Sequence, residues 1–355
     1  MTSRELAALR IAAQRIGGGS FERPADVVRW MLAMQAQDFG GAKWGVGLRR
    51  PGTTDAEVES ALAAGEIVRS WPMRGTLHFV APEDLGWMLA IASRRQETSL
   101  ARRRSDLGIT DAELARAGQL AFDALTGGRV IRRDRLLETW RQGGIPTDGQ
   151  RAAHLLLNLA HSGMLVFGPV DGKQHTFTLL SEWIPAARDL SGDEALAEYA
   201  QRYFRSHGPA TVRDFAWWAS ITLGDARTGV AAATGLVERE VDGASYVMAE
   251  DLEPAALGVH ALAGFDEYLL GYSDRSPVLP AEYSERIVPG GNGMFLPTLV
   301  VDGAVVGTWK KTEGAKKIVI DVVAFASLSK KALAGFEREL KRYGQFMGKP
   351  VELRA

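Results

Sequence analysis

Three times along this chain, a run of helical stretches is followed by two extended arms around a turn. That recurrence limits the fold more than any single motif. In the first copy Leu6, Leu9, Ile11, Ala13 and Ile16 recur at helical spacing, and Gly17-Gly18-Gly19 closes the helix. A second helix starts at Pro24, and a third spans Asp55 to Ala64 with Thr54 as its N-cap. Val68 to Val80 then reads as a hairpin. The second copy places helices at Asp111–Leu125, Arg133–Gln142 and Asp148–Ser162. Its arms are Met164–Phe167 and Thr176–Leu179, around Gly172. The third uses Asp193–Ser206, Thr211–Ser220 and Asp225–Thr234, then Leu236–Val241 and Ser245–Met248 around Asp242-Gly243. The copies share pattern and not sequence. Three helices and a hairpin is the winged-helix plan, a variant of the helix-turn-helix.

From Gly258 the character changes. Strand-like runs fall at Gly258–Ala263, Leu296–Val301, Val305–Lys310 and Ile318–Phe325, with a hairpin turn at Asp302-Gly303. One helix, Lys330–Tyr343, precedes a final Val351-Glu352-Leu353. The expected architecture is α+β, with three tandem winged-helix domains and a small C-terminal β-barrel-like domain or curled sheet. Boundaries are expected at 1–108 (including a helix from Pro82 that ends in an arginine cluster), 109–190, 191–253 and 254–355.

Composition excludes several chemistries. There is no cysteine, so disulfides, thiolate metal sites and cysteine nucleophiles are absent. Six histidines show no metal-ligand spacing, so no metal and no cofactor is expected. The first helix is amphipathic and unlike a secretory signal, and no apolar run approaches the roughly 18 residues of a membrane span. A cytoplasmic monomer is expected. Net charge is −1, yet its distribution is uneven. Residues 1–150 carry 21 Lys/Arg against 18 Asp/Glu and residues 301–355 carry 11 against 6, while 189–253 carry 5 against 12. Such a chain can present one basic face to nucleic acid.

The stretch from Met31 to Gly41 holds Gln35, Gln37 and Asp38. Val27, Val28, Met31, Leu32 and Met34 supply an apolar helical face, and Gly40-Gly41 reads as a helix stop, so both glutamines are expected where a helix ends. If the chain is extended by Gln37, the period becomes two and both amides converge. Two amides at a helix C-terminus beside Asp38 would hold a water and favour a cation. A polar helix end facing solvent is the alternative. Arg74, Thr76 and His78 share one side of an extended arm, either as a ligand or DNA face or as a solvated wing. Arg102, Arg103 and Arg104 suit phosphate contacts or complement a helix dipole. Trp217-Trp218 reads as core, with base stacking as the minor alternative. In Phe265–Arg275, adjacent acids beside Arg275 read as structural ion pairs, with acid/base work as the alternative. The loop Ser276–Gly293 exceeds ordinary connection length. Lys310-Lys311 and Lys316-Lys317 fit a phosphate backbone or a solvated hairpin tip.

Five stretches together resemble one family: Gln35-Ala36-Gln37-Asp38, Arg69 to His78, His207-Gly208-Pro209-Ala210-Thr211, Phe265 to Arg275 and Gly307-Thr308-Trp309-Lys310. They look like winged-helix DNA glycosylases of the AlkZ/YcaQ type, over nearly the whole chain. The resemblance implies a C-shaped clasp around double-stranded DNA. It also implies cleavage of the N-glycosidic bond of bulky N3- or N7-alkylated purines, interstrand crosslinks included. The family's Gln-hydrophobic-Gln motif carries onto Gln35, Ala36 and Gln37, with Asp38 and His78 as supporting groups. Two glutamines point to the AlkZ branch. Arg74, Arg102, Arg103, Arg104, Arg275, Lys310 and Lys311 are expected on the DNA face. Glutamine chemistry suits a cationic purine, already a good leaving group, because a placed water matters more than a strong acid. No lysine stands out as a nucleophile, so a monofunctional enzyme is expected. The alternative is a non-catalytic winged-helix DNA-binding protein or transcriptional regulator, which would have no need of convergent amides.

Overall fold

Capping residues set many of the helix starts in the computed structural model of the protein, which describes residues 1–184, 187–241 and 243–354. The first region runs α1 (Ser3–Ala13), α2 (Pro24–Met31), β1 (Ala33–Gln35), α3 (Phe39–Arg49), α4 (Asp55–Ala63), β2 (Val68–Met73), β3 (Thr76–Val80) and α5 (Pro82–Asp106). Thr2 with Glu5 and Thr54 with Glu57 form reciprocal capping boxes that start α1 and α4. The three strands form an antiparallel sheet of order β1-β3-β2.

The next region holds α6 (Asp111–Leu125), β4 (Ile131–Arg132), α7 (Arg133–Gln142), α8 (Arg151–His161), β5 (Leu165–Phe167), β6 (Thr176–Leu179) and α9 (Leu180–Trp183), with sheet order β4-β6-β5. Then come α10 (Gly192–His207), α11 (Val212–Ala219), α12 (Leu223–Ala232) and the hairpin β7 (Leu236–Val241) with β8 (Ala244–Ala249). Of the turn expected at Asp242-Gly243, Asp242 lies outside the described residues. The last region comprises β9 (Val259–Ala261), α13 (Glu267–Leu270), α14 (Ser284–Ile287), β10 (Thr298–Val301), β11 (Ala304–Glu313), β12 (Ile318–Ala324), α15 (Lys330–Met347) and β13 (Val351–Arg354). Its five strands are ordered β13-β12-β11-β10-β9, with β13 parallel to β12 and the other pairs antiparallel. The sheet is a half-barrel. The class is mixed α+β, as expected. No helix among the described residues is long and apolar enough to cross a membrane.

Two sequence expectations need correction. Gly40-Gly41 is no helix stop: both residues lie in the first turn of α3, which Asp38 caps by accepting from the Gly41 N–H at 3.1 Å. The helix from Pro24 ends earlier, at Leu32, whose φ of +64° and ψ of −52° turn the chain abruptly into β1. The glutamines therefore sit between a strand and a helix N-terminus, and the partial negative charge of a helix C-terminus is not beneath them. Glycine serves close packing here. A Cβ on Gly41 would lie 2.6 Å from the Asp38 carboxylate, and one on Gly47 would lie 2.6 Å from the Phe346 ring.

Three apolar cores hold the molecule. The largest joins α1–α4 to the half-barrel and α15, through residues such as Val28, Trp44, Leu299, Trp309 and Phe346. A second joins Leu32, Val68, Val80 and α5 to α10–α12, around Tyr203 and Trp218. The third lies within 109–179, around Trp140. Met31 and Met34 face the first core while Leu32 and Ala33 face the second, so β1 runs along the seam between them. That is where the glutamines are.

Candidate active site

The backbone from Gln35 to Gln37 is held on both edges. In β1 Gln35 pairs with His78 of β3, and the Ala36 N–H donates to the Leu77 carbonyl at 2.6 Å. From β2, Arg69 donates through Nε and Nη2 to the Ala36 carbonyl, at 3.1 and 2.8 Å. The Gln35 N–H donates to Glu267 Oε1 at 2.9 Å. The Arg69 guanidinium lies between the rings of Phe39 and Phe167 and faces His175 Nε2 at 3.1 Å.

Both side-chain amides are oriented by donors. Gln35 Oε1 accepts from Arg74 Nη2 at 3.2 Å, and Gln37 Oε1 accepts from the Leu77 N–H at 3.3 Å. A guanidinium and a backbone N–H can only donate, so each amide must turn its oxygen inward and its Nε2 away. Neither Nε2 has a partner among the described residues. Gln35 is buried and Gln37 is exposed. Gln37 lies just beyond β1, in the bend before α3, and the two amides meet the same hairpin, at its tip and on β3.

Arg74 occupies that tip with φ +54°, followed by Gly75 at +64°. A non-glycine residue there is strained by about 1 kcal/mol or more. Its guanidinium also contacts His78 Nε2 at 3.1 Å and the Leu270 carbonyl at 3.3 Å, and it lies 5.1 Å from the centroid of Trp217. Burial lowers its pKa, opposed by the charge of Glu267. His78 is fully buried, and its Nδ1 donates to the Thr76 carbonyl at 2.8 Å, which leaves Nε2 to accept from Arg74. Burial and the Arg74 charge push its pKa down to about 3. His78 is neutral at physiological pH and braces Arg74.

Glu267 was not singled out from the sequence, where the acids of 265–275 read as ion pairs. Asp266 behaves so, bidentate to the buried Arg49 at 3.0 Å on both oxygens. Glu267 does not. Besides the Gln35 N–H, it accepts from Trp218 Nε1 at 2.9 Å, and His207 Nε2 faces it at 3.5 Å. Burial opposes its ionisation. The interaction with His207 and the charge of Arg74 outweigh that and hold the carboxyl at about 2. Trp218 is fully buried as expected, whereas Trp217 remains 39% exposed against both Arg74 and Arg275.

The other expected positions are dispersed. Arg275 donates to the Leu269 carbonyl at 2.8 Å and joins this cluster through Trp217. Lys311 donates to the Tyr343 hydroxyl at 2.7 Å close to Gly40, and Lys310 is exposed. Arg102 is exposed on α5. Arg103 contacts Gln150, and Arg104 reaches Asn158 of α8 at 2.7 Å and Glu97 at 3.0 Å.

These features define a class: the chain belongs to the AlkZ-like DNA glycosylase family, which matches residues 28–346. It is similar to an interstrand DNA cross-link repair glycosylase of Streptomyces sahachiroi, 27% identical over 344 residues, covering 86% of this chain and 87% of the relative. The fold is that of the solved Streptomyces sahachiroi DNA glycosylase AlkZ, with a TM-score of 0.82, 24% identity and full coverage of both chains.

Proposed function

We propose that this protein hydrolyses the N-glycosidic bond of bulky N3- or N7-alkylated purines in duplex DNA and unhooks interstrand crosslinks. Gln35 and Gln37 act at the sugar. The architecture that serves this is three tandem winged helices and a half-barrel, with boundaries at 1–108, 109–190, 191–253 and 254–355, forming a C-shaped clasp. Arg74, Arg102, Arg103, Arg104, Arg275, Lys310 and Lys311 face the DNA, and the protein works as a cytoplasmic monomer on the nucleoid. The observation that carries the reading is the pair of glutamine amides pinned against one hairpin with their Nε2 groups unengaged.

The chemistry follows from the leaving group. A purine alkylated at N7 or N3 carries positive charge, and C–N cleavage returns its electron pair to the base, which departs neutral. An oxocarbenium remains at the sugar. Each glutamine carbonyl retains a second lone pair that can accept from a water, while the free Nε2 donors fix sugar or purine acceptors. Water adds to C1′ and loses its proton late, to Asp38 or to solvent. Neutral His78 supplies no proton, because its one ring N–H is held by the Thr76 carbonyl. Lys311, the lysine near Gly40, donates to the Tyr343 hydroxyl, and no lysine is hydrogen-bonded to Gln35 or Gln37 among the described residues, so the enzyme is monofunctional.

Single-turnover excision from a duplex carrying one N7-alkylguanine, scored as alkali-labile abasic sites, tests this. Gln35→Ala and Gln37→Ala should each slow excision roughly 10²- to 10³-fold with DNA affinity nearly intact. Gln37→Glu adds negative charge beside the oxocarbenium and a base for the water, so it should retain more activity than Gln37→Ala. Unaltered rates in both alanine variants would take the catalytic role from the glutamines, and absence of excision by the wild type would assign the fold to a non-catalytic DNA-binding protein instead.

A further inference from the structure

Arg74 creates an electrostatic problem for the chemistry proposed above. Its guanidinium touches Gln35 Oε1 at 3.2 Å, so a fixed positive charge lies directly behind a residue meant to face a cationic purine and an oxocarbenium. Unopposed, that charge would raise the barrier. The neighbouring imidazoles offer no relief, because burial keeps both His78 and His207 neutral. Asp266 is committed to Arg49. One carboxylate does contact Gln35: Glu267 accepts from its backbone N–H at 2.9 Å.

We infer that Glu267 is a positioning residue whose buried charge neutralises Arg74 and makes the face of Gln35 tolerant of positive charge at C1′. The inference rests on the glycosylase reading. Gln35 is gripped at two points by opposite charges: the carboxylate fixes its main chain and the guanidinium fixes its side-chain oxygen. Glu267 is 1% exposed, so its charge is retained against the full cost of desolvation. Its surroundings are built to keep it ionised and aimed. Trp218 Nε1 donates to Oε2, and the His207 ring, whose Nδ1 lies 2.8 Å from Ser206 Oγ, brings Nε2 to 3.5 Å from the carboxylate. Trp217 and Trp218 are adjacent on α11. The first lies against Arg74 and the second holds Glu267, so one helix sets both charges. A purely structural partner for the Gln35 N–H would be a neutral oxygen, which needs no indole and no imidazole to sustain it.

The test compares two duplexes that differ only in charge at the sugar: one with a pyrrolidine abasic analogue, cationic where the oxocarbenium forms, and one with its neutral tetrahydrofuran counterpart. Wild type should prefer the cationic analogue. Glu267→Gln should lose about 10-fold or more of that preference while binding the neutral analogue as before. Arg74→Gln reads the same balance from the other side and remains decisive if Glu267→Gln fails to fold. With the guanidinium gone and the carboxylate left, preference for the cationic analogue should rise above wild type. An unchanged ratio in the folded variants, or equal loss of both analogues, overturns the inference. Wild-type excision of N7-alkylguanine, measured alongside, reports separately on the glycosylase reading.

Discussion

Arg69 shows how one side chain can fix a motif it does not belong to. Its two donors converge on the Ala36 carbonyl, and the flat guanidinium fits between Phe39 and Phe167, 5.1 and 5.0 Å from the ring centroids. Burial lowers its pKa to about 10, which leaves it charged at neutral pH. Lysine presents a point charge on a flexible stem, so it cannot make the paired contact or the aromatic sandwich. Arg69→Lys is expected to cost roughly 1–3 kcal/mol of stability, the scale of a buried charged hydrogen bond lost. It should also slow single-turnover excision about 10-fold or more through misplacement of both amides. Full excision rates in a folded Arg69→Lys protein would show that the backbone of Ala36 needs no such clamp.

At the scale of elements, the junction from β1 to α3 gives Asp38 two roles that can be separated. Its carboxylate caps α3 through the Gly41 N–H, and the proposed chemistry also offers it the proton released by water. Serine caps nearly as well as aspartate but is no base at neutral pH. Asp38→Ala should therefore lose about 1 kcal/mol of stability in denaturant titration, and Asp38→Ser should regain most of it. If Asp38 accepts the proton, both variants should be equally slow in excision. Recovery of the rate together with stability in Asp38→Ser would reduce Asp38 to a cap. Strain marks the same junction. Leu32, Arg74 and Phe265, three non-glycine residues with φ between +54° and +64°, lie on the three segments that meet at Gln35. Strained backbone tends to persist where surrounding structure over-determines it.

The whole molecule carries a pH signature. All six histidines, His78, His154, His161, His175, His207 and His260, have lowered pKa values, each with burial as the first cause. Below the unfolded value near 6.5 the unfolded chain binds protons that the folded chain refuses, so stability falls as pH falls. His78, with a folded value of about 3, loses roughly 1.4 kcal/mol for each pH unit below 6.5. Guanidinium unfolding should give a stability at pH 5 at least about 2 kcal/mol below that at pH 7.5. Equal midpoints at the two pH values would mean that these imidazoles titrate freely in the fold. The lowered carboxylates, such as Glu267, act only at still lower pH and do not blur that window.

Most elements were legible in the sequence because their signals are local. Thr54 with Glu57 caps a helix, Asp302-Gly303 turns a hairpin with φ values of +49° and +86°, and apolar spacing in α6 and α7 reports a buried face. α3 was illegible. Four glycines between Phe39 and Arg49 argue against a helix by propensity, and residues 41–49 are buried all round, so no amphipathic period survives. Only the approach of Phe346 and the Asp38 carboxylate explains why glycine is needed there. The site divides the same way. Gln35, Gln37, Arg74 and His78 could be picked out because they lie in two short stretches, which the pairing of β1 with β3 brings side by side. Glu267 and Trp218 could not be tied to them, because each stands about 180 residues or more from Gln35 along the chain, and what joins them is the seam between two cores. Residue type announces that a carboxylate can ionise. Whether it is paired with an arginine, as Asp266 is, or left as a lone buried charge beneath an amide is decided by which side chains tertiary packing brings within 3 Å of it.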